Sequence, residues 1–409
     1  MIKPLGPAQS DTILDLDQWT FGMDLEGLDP ALALAPFEWD RTFGAWLEGP
    51  HRLAGMNSTF SFTLTVPGAS VPAAGLTWVG VHPRDRRQGL LRAMMGHHLD
   101  QVRRGPEPVS VLFAAEPGIY GRFGYGLATR TAVLSLSRGA ALRPVAGSDA
   151  ITVEFERIDP ERHSALIREV HDQAYRSRPG SVSRPNPAHT SLLLYDPPSR
   201  RQGAEELRIL VARDAGGRAR GYVLFRRANR WGMRGPEGKV TVRELSALDG
   251  PATHALWRIL LDLDLTTEVE SGSRPVDDAL FHLLVDVRAV EPRVHDGLWL
   301  RIVDLPAALA ARRYPVPLDV VLEVSDAQCP ANAGRWHLVA GPDHATCIAT
   351  TAEPQLRLDV RELGSAYLGG ESLAAMGRAG LVEELRPGAL DTTAAAFGWP
   401  VAPFSGWVF

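Results

Sequence analysis

Two stretches of the chain combine side chains that could bind an anion and move a proton. The first, residues 86–92, reads Arg-Arg-Gln-Gly-Leu-Leu-Arg, and the second, residues 115–126, holds four glycines around Tyr120 and Tyr125. Arginines beside a glycine suit phosphate oxygens, because guanidinium groups donate paired hydrogen bonds and glycine allows close backbone approach. A tyrosine hydroxyl, with an ordinary pKa of about 10, can give a proton to a departing thiolate.

The neighbouring residues predict the elements that position the first stretch. Residues 76–81 are apolar and β-prone, Pro83 ends that run, and apolar residues then recur at helical spacing from Leu91 to Val102. Residues 108–115 form another short apolar run, so the unit is predicted as strand, helix and strand with a right-handed crossover. The basic turn would then lie at the positive end of a helix, where free N–H groups attract anions.

Alternative interpretations of these stretches stay open at this point. The Arg-x-x-Gly spacing differs from the Walker loop and the dinucleotide fingerprint, which disfavours a nucleoside triphosphate or NAD site. A basic turn can be a solvated surface feature, and a glycine-rich segment can be a β-hairpin with packed rings. His97 and His98 point in different directions on the predicted helix, so His98 is expected in the core and metal ligation is disfavoured.

Composition limits the classes of function. The 409 residues suffice for roughly two to four domains. The net charge of −5 argues against a general nucleic-acid binder. Lys3 and Lys239 are the two lysines of the chain, so a lysine Schiff base has almost no candidate. Cys329 and Cys347 form no Cys-x-x-Cys pair, and no apolar run reaches the length of about 18 residues that a membrane span needs. We expect a cytoplasmic protein without metal, nucleic-acid or membrane partners.

Two further blocks follow the first. From about residue 150, strands are predicted within 207–225 and at 240–245, then a helix from 252 to about 263, an order that echoes the first block. From about residue 293, alternating apolar residues predict strands over 316–324 and 356–360. Apolar residues from Leu373 to Leu385 predict one packed helix, so this block is expected to be a sheet with helices on one face.

Taken together, the strand ending in Val79-Gly80-Val81, the Arg-x-x-Gly turn and the Tyr-x-x-x-Gly-Tyr stretch resemble the acetyl-CoA site of the GCN5-related N-acetyltransferases. The longer match over 86–94 and 119–126 is similar to the Eis (enhanced intracellular survival) family, which acetylates aminoglycosides. The resemblance covers the chain in outline. It implies a mixed α/β (α+β) fold with a catalytic acetyltransferase domain at 1–148, a degenerate one at 149–292 and a sterol-carrier-protein-like domain at 293–409. It also implies acetyl-CoA as co-substrate and a hexamer.

The resemblance also implies roles for individual residues. Tyr120 would be the general acid, and the C-terminal carboxylate at Phe409 would reach back as a base. The strand end would offer backbone hydrogen bonds to the acetyl and pantetheine parts, and the basic turn would cradle the pyrophosphate. Leu91 departs from the wider superfamily, where Gly or Ala is usual, although the narrower family accepts Leu. The implied cofactor-binding residues are Val79, Gly80, Val81, Arg86, Arg87, Gln88, Gly89, Leu90, Leu91, Arg92, Ala115 and Glu116.

An acidic, aromatic segment predicts the acceptor. Between residues 11 and 48, nine acids stand against one base, Arg41, and six aromatic residues are interleaved with them. Carboxylates beside aromatic faces suit a polycationic ligand, although acidic runs are often solvated helix faces. With the resemblance, Asp24, Glu26 and Trp39 are the predicted residues for binding a small-molecule amine.

The C-terminal residues 403–409 are unusually aromatic for a terminus, which predicts a docked tail. Its rings could simply plug a groove, or its carboxylate could serve as the base that the resemblance implies. An α-carboxyl with a pKa of about 3.3 to 3.7 is a weak base unless desolvation raises that value. A water relay therefore stays open beside direct proton abstraction.

The second block is not expected to repeat the chemistry. Where its strand meets its helix, Asp249 precedes Gly250 and Pro251 and would repel a phosphate, which predicts one acetyl-CoA per chain. Two other functions remain open: a lipid or sterol carrier with a vestigial acetyltransferase domain, and an acetyltransferase of protein lysines or N-termini. The intact basic turn together with Tyr120 argues against the carrier.

Overall fold

The structure, a computed structural model, describes residues 1–22, 27–47 and 52–409. Its helices are α1 (Ser10–Phe21), α2 (Pro30–Leu34), α3 (Leu90–Arg103), α4 (Pro160–Ala174), α5 (Pro187–Leu194), α6 (Gly250–Asp262), α7 (Leu280–Leu283), α8 (Leu305–Ala311), α9 (Val360–Ala366), α10 (Leu373–Arg378) and α11 (Ala389–Phe397). Its strands are β1 (Ile2–Pro4), β2 (Thr42–Leu47), β3 (Arg52–Val66), β4 (Ala69–Val81), β5 (Val109–Phe113), β6 (Gly126–Leu127), β7 (Arg130–Ser137), β8 (Thr152–Arg157), β9 (Arg208–Arg213), β10 (Ala219–Ala228), β11 (Trp231–Gly232), β12 (Gly235–Pro236), β13 (Gly238–Ala247), β14 (Thr266–Pro275), β15 (Val290–Asp296), β16 (Leu298–Ile302), β17 (Leu318–Ser325), β18 (Gly334–Ala340), β19 (Ala345–Ala349), β20 (Leu356–Asp359) and β21 (Val382–Glu384).

These elements form two spatial units, one of residues 1–129, 178–183 and 297–409 and the other of residues 130–177 and 184–296. The first unit contains a seven-stranded sheet in the order β1-β2-β3-β4-β5-β16-β6 and a five-stranded sheet in the order β19-β18-β17-β20-β21. The second contains a seven-stranded sheet in the order β15-β7-β14-β13-β10-β9-β8. The predicted mixed α/β fold class is confirmed.

Sheet membership does not follow chain order at two places. β16 follows residue 292 and joins the first sheet, whereas β7 precedes residue 148 and joins the second. The pairing of β16 with β5 joins residues at least 185 positions apart, for example Leu298 with Phe113. Local patterns carry no information on such pairings. The division at 148/149 and 292/293 stays a proposal.

The predicted strand–helix–strand unit is formed by β4, α3 and β5. β4 and β5 are parallel and pair at Ala73 with Val109, at Ala74 with Ser110 and at Gly75 with Val111. β4 continues to Val81 beyond the last of these pairs, and β5 continues to Phe113. The two strands are therefore unpaired with each other at the ends that precede the two candidate stretches.

A β-bulge near the end of β4 changes the direction of its backbone. Met56 of β3 faces Gly80 and Ser58 faces Thr77, so one β3 residue stands opposite both Trp78 and Val79. Trp78 has a φ of 52°, in a region that a non-glycine residue seldom occupies. A bulge leaves its extra residue without a ladder partner and re-aims the neighbouring groups. Strain of this kind is frequent at functional sites.

The two faces of β4 and β5 pack against different partners, because side chains alternate along a strand. On one face Leu76 and Leu112 form a buried cluster with Met95 of α3 and with Tyr120 and Tyr125. The other face belongs to a larger core that includes Val109, Val111 and Phe62, with Phe113 and Phe409 packed against it. The sheet thus separates the helix α3 side from an aromatic side.

The strands predicted in the last two blocks are confirmed, and one predicted helix was wrong in its length. β17 and β20 are parallel, with Leu322 beside Leu356. α10 ends at Arg378, and Gly380 then adopts a φ of 77°. Leu381 and Leu385 lie beyond this turn and are 48% and 37% exposed. The left-handed glycine stops the helix, so these leucines do not extend its packed face.

The C-terminal tail is docked through backbone hydrogen bonds. Residues 178–183 run beside β3, where Gly180 N donates to Thr65 O at 2.8 Å. Phe404 N donates to Pro179 O at 2.8 Å, and Ser181 Oγ donates to Phe404 O at 3.0 Å. Arg178 Nη1 donates to Ala402 O at 2.6 Å. These bonds fix the path of the chain that leads to Phe409.

Candidate active site

The basic turn opens directly into the N-terminus of α3. Gly89 precedes the helix with a φ of 79° and makes no side-chain capping hydrogen bond. A β-carbon on Gly89 would meet nothing within 4 Å, so the left-handed backbone, rather than space, favours glycine there. The first N–H groups of a 14-residue helix therefore lie at this end without a capping side chain. Such an end attracts an anion.

Three arginines surround this helix end. The side chains of Arg86, Arg87 and Arg92 are exposed, and no carboxylate within residues 1–22, 27–47 and 52–409 forms an ion pair with them. An ion pair anchors the start of the turn: Nη2 of Arg52 lies 2.6 Å from the buried carboxylate of Asp85, which directly precedes Arg86. Fixed backbone and free cations together make a site for a phosphate or diphosphate.

The turn forms one wall of a cavity of about 580 Å³ in the first unit. The end of β4 and the segment after β5 form its other walls. All the predicted cofactor residues except the exposed Gln88 line this cavity: Val79, Gly80, Val81, Arg86, Arg87, Gly89, Leu90, Leu91, Arg92, Ala115 and Glu116.

Tyr120 lines the same cavity from a 3₁₀ turn over Pro117–Phe123. Its side chain is buried, and burial together with the adjacent Glu116 raises the pKa of its hydroxyl to about 12. The phenol is therefore protonated at any physiological pH. Gly124 ends the turn with a φ of 81°, and a β-carbon there would lie 2.7 Å from Arg301 Nε. Glycine at this position keeps the turn, and with it Tyr120, in place.

Sequence reasoning missed several residues of the cavity. Thr20 and Phe21, at the end of α1, line it beside Gly80. A β-carbon on Gly80 would lie 3.0 Å from Thr20 Cγ2, so this glycine also admits α1. Residues in or directly before the two candidate stretches also line the cavity, namely Asp85, Ile119, Arg122 and Phe123. The sequence signal in this region was the interleaving of aromatic residues, Phe21 among them, with the acids of residues 11–48.

Of the predicted acceptor residues, Asp24 and Glu26 lie outside the described residues, and Trp39 belongs to a row of aromatic rings. Neighbouring ring centroids in this row are 4.7 to 6.4 Å apart. We call it the aromatic row; its members are Trp39, Phe37, Trp78, Phe60, Phe62, Trp407, Phe409 and Phe113. The row lies on the face of β3 to β5 that packs away from α3.

Two acids of the N-terminal segment make structural hydrogen bonds, and a third is buried. Asp29 caps α2 by accepting from Ala31 N at 2.9 Å. Glu38 accepts from the backbone N and the hydroxyl of Ser61, each at 2.6 Å. Asp17 is buried, and burial raises the pKa of its carboxyl to about 6. These three acids do not gather at one pocket, in line with the structural interpretation of the segment.

Phe409 sits where the pairing of β4 and β5 ends. Its ring centroid lies 4.7 Å from that of Phe62 and 5.4 Å from that of Phe113. A β-carbon on Gly75, the last residue of β4 that pairs with β5, would lie 3.1 Å from the Phe409 ring. Phe409 does not line the cavity of Tyr120. The two residues lie on opposite faces of the sheet, beside the point where the strands part.

The second unit offers a contrasting helix end. Asp249 caps α6 by accepting from Ala252 N at 2.9 Å, and its other oxygen pairs with Arg220 Nη2 at 2.6 Å. The N–H groups of this helix thus already face a carboxylate. Within the described ranges, no group of three or more His, Cys, Asp or Glu side chains is arranged to hold a metal ion, and no helix has the length and apolar character to span a membrane. Cys329 and Cys347 are free and buried.

Comparisons with known proteins agree with this geometry. Residues 2–128 and 180–302 each match an acetyltransferase (GNAT) domain, and residues 305–406 match a sterol carrier protein domain. An uncharacterized N-acetyltransferase of Streptomyces avermitilis is 45% identical over 90% of this chain and 89% of its own. N-acetyltransferase Eis of Mycobacterium tuberculosis is 35% identical over 80% of this chain and 78% of its own. The crystal structure of Eis1 from Mycobacterium abscessus is 33% identical, covers both chains completely and gives a TM-score of 0.85. The chain therefore belongs to the Eis family of GCN5-related N-acetyltransferases, with two GNAT domains followed by a sterol carrier protein domain.

Proposed function

We propose that this N-acetyltransferase acetylates amines of polycationic small molecules such as aminoglycosides, with Tyr120 as general acid and the C-terminal carboxylate of Phe409 as base. One observation carries the proposal: a single cavity joins an uncapped helix end with free arginines to a buried, protonated phenol. The first feature suits a diphosphate, and the second suits a thiolate that needs a proton.

The residues present fit acetyl-CoA, the co-substrate that GNAT domains use. Acetyl-CoA, when bound, supplies the acetyl group as an activated thioester. Arg86, Arg87 and the first N–H groups of α3 would hold its diphosphate. The re-aimed backbone at Val79, beside the bulge, would donate a hydrogen bond to the carbonyl oxygen as negative charge develops there. Tyr120 would give its proton to the sulfur as the C–S bond breaks.

The acceptor amine must lose a proton before its lone pair can attack. The position of Phe409 supports a role in this step, because its ring lies where β4 and β5 stop pairing with each other, across the sheet from Tyr120. The carboxylate would take the amine proton directly or through a water. Acid and base would thus act from opposite faces of the sheet, and no covalent bond to the enzyme is required.

The aromatic row supports a cationic acceptor. Ring faces attract ammonium groups within about 6 Å of their centroids, and the attraction grows when water is excluded. Phe37 and Phe62 are buried in the core, whereas Trp39 is partly exposed and would offer such a face on the side of the sheet where Phe409 lies. Asp24 and Glu26 stay predicted contacts to the same ligand.

We expect an Arg86→Ala/Arg87→Ala variant to bind acetyl-CoA roughly 10- to 10²-fold more weakly, because it loses charge-assisted hydrogen bonds to the diphosphate at an exposed site. Isothermal calorimetry measures this loss, and raising the salt concentration should narrow the gap to wild type. Arg84→Ala is the matched control, since Arg84 is an exposed arginine of the same turn that does not line the cavity. Equal affinity of the double variant and wild type would remove these arginines from the site.

Calorimetry should also find one acetyl-CoA per chain. The carboxylate of Asp249 occupies the helix end in the second unit that corresponds to the binding end of α3, and a second anion there would be repelled. Two equivalent sites per chain would contradict the assignment.

Free-thiol release from acetyl-CoA with a panel of amines tests the acceptor class. The proposal predicts turnover with aminoglycosides, weaker turnover with linear polyamines and little with lysine peptides. Preference for peptides would instead favour a protein acetyltransferase. Lipid binding without thiol release from any amine would favour the carrier alternative. Hexameric assembly, a cytoplasmic location and the absence of nucleic-acid and membrane partners stay predictions.

A further inference from the structure

Four buried polar side chains form a hydrogen-bonded chain on the α3 face of the first sheet, and this chain ends beside Tyr120. Thr59 Oγ1 on β3 lies 3.1 Å from His98 Nδ1 on α3, and His98 Nε2 lies 2.9 Å from Ser110 Oγ on β5. Ser110 Oγ in turn lies 2.8 Å from the hydroxyl of Tyr125. None of the four residues is more than 4% exposed. Such groups are costly to bury unless every one of them is paired.

The hydrogen-bond directions in this chain follow from one additional contact. Ser110 Oγ also lies 3.1 Å from the carbonyl oxygen of Ala74, which can only accept, so the serine gives its single proton there. Ser110 must then accept from both His98 Nε2–H and the Tyr125 hydroxyl. Nδ1 of His98 is left to accept from Thr59. All four side chains are thereby satisfied, with neutral histidine in one tautomer.

The charge states agree with this arrangement. Burial, with smaller contributions from Arg41 and His97, lowers the pKa of His98 to about 3. Burial likewise raises the pKa of Tyr125 well above its ordinary value. Both groups are neutral across the physiological range, so the hydrogen bonds do not change with pH there.

The chain ends against the proposed general acid. The ring of Tyr125 meets that of Tyr120 edge-on, with centroids 6.0 Å apart, in the cluster that includes Leu76, Met95 and Leu112. A ring has freedom to slide in an apolar cluster, but the Tyr125 hydroxyl is tied to β5 through Ser110. The tied ring sets one wall against which Tyr120 packs. Neither His98 nor Ser110 lines the cavity of Tyr120.

We propose that His98 and Ser110 are positioning residues for acetyl transfer: by holding Tyr125, they set the orientation of the Tyr120 phenol. The inference rests on the proposed role of Tyr120. Misplacement of a reacting group by about 1 Å can cost on the order of 10²-fold in rate. We therefore expect Ser110→Ala and His98→Ala each to lower kcat roughly 10- to 10²-fold while leaving the KM for acetyl-CoA nearly unchanged.

A double-mutant comparison separates positioning from mere stability. If His98 and Ser110 act through Tyr120, then Ser110→Ala should lower kcat in the wild type and have no further effect in a Tyr120→Phe background. Leu99→Ala, a buried apolar truncation on the same helix, is the control for lost packing. Leu99→Ala should lower thermal stability but leave the ratio of kcat between the wild-type and Tyr120→Phe backgrounds unchanged. Equal fold losses from Ser110→Ala in both backgrounds would overturn the inference.

Imidazole offers a second readout. His98, Asn57 and Thr59 border a separate cavity of about 250 Å³ on the α3 side, through which a small molecule can enter. Added imidazole should restore part of the kcat of His98→Ala and leave the kcat of Leu99→Ala unaffected. No restoration in a folded His98→Ala variant would contradict the inference.

The Ser110→Ala and Tyr120→Phe variants together show which proposal fails. If Ser110→Ala keeps the wild-type kcat while Tyr120→Phe is slow, the positioning inference is wrong and the acid assignment stands. Wild-type kcat in Tyr120→Phe would remove the acid assignment and this inference with it.

Discussion

A Tyr120→Phe variant should transfer acetyl groups roughly 10²- to 10⁴-fold more slowly than the wild type, the usual contribution of a positioned general acid. The substitution removes one hydroxyl from a buried ring and leaves its packing against Tyr125 and Leu112. Acetyl-CoA affinity should change little, because the proposed diphosphate contacts are Arg86, Arg87 and the N-terminus of α3 and do not include the Tyr120 hydroxyl. The loss should therefore fall on kcat, measured by thiol release at saturating acetyl-CoA.

The pKa of Tyr120 sharpens this expectation. A phenol with a pKa of about 12 is protonated throughout the range in which the amine acceptor loses its proton. The rate should therefore rise with pH as the amine deprotonates, and no fall that belongs to Tyr120 should appear below pH 10 or so. Near-wild-type kcat in Tyr120→Phe would exclude the phenol as the acid.

Adding one residue after Phe409 should nearly abolish acetyl transfer. The addition converts the terminal carboxylate into an amide and displaces the charge, but it leaves the ring that packs on Phe62 and Phe113. Loss of a general base costs roughly 10²- to 10⁴-fold. Thermal stability should be nearly unchanged, because the tail is held by the hydrogen bonds of Phe404 and Ala402.

Two controls separate the carboxylate from the ring. Phe409→Leu keeps the carboxylate and shrinks the side chain, so it should retain much more activity than the extended chain. Val408→Ala alters a 61% exposed side chain and should behave as wild type. Full turnover by the extended protein would show that the terminal carboxylate is not the base.

The elements of the site were predictable from the sequence because their signals are local. The period of apolar residues predicted a helix from Leu91 to Val102, and α3 spans Leu90–Arg103. The residue types alone predict that Arg86 and Arg87 bind an anion and that Tyr120 donates a proton. Their meeting in one cavity followed from the parallel β4 and β5, since both candidate stretches follow the same edge of the sheet.

The features that escaped prediction depend on long-range contacts or backbone strain. The positive φ of Trp78 is unusual for its residue type, and the bulge that needs it is visible only in the register with β3. β16 joins β5 from across the chain, and the hydrogen bonds of residues 178–183 to the tail join still more distant segments. The acids of residues 11–48 look alike as a charge run, yet Asp29 and Glu38 accept separate backbone hydrogen bonds and Asp17 is buried.

A crystal structure of the protein with bound coenzyme A tests the central claim most directly. The account predicts the diphosphate on the first N–H groups of α3 beside Arg86 and Arg87, and the sulfur within hydrogen-bond reach of the Tyr120 hydroxyl. Coenzyme A bound at another place, or a Tyr120 hydroxyl turned away from the sulfur, would contradict it.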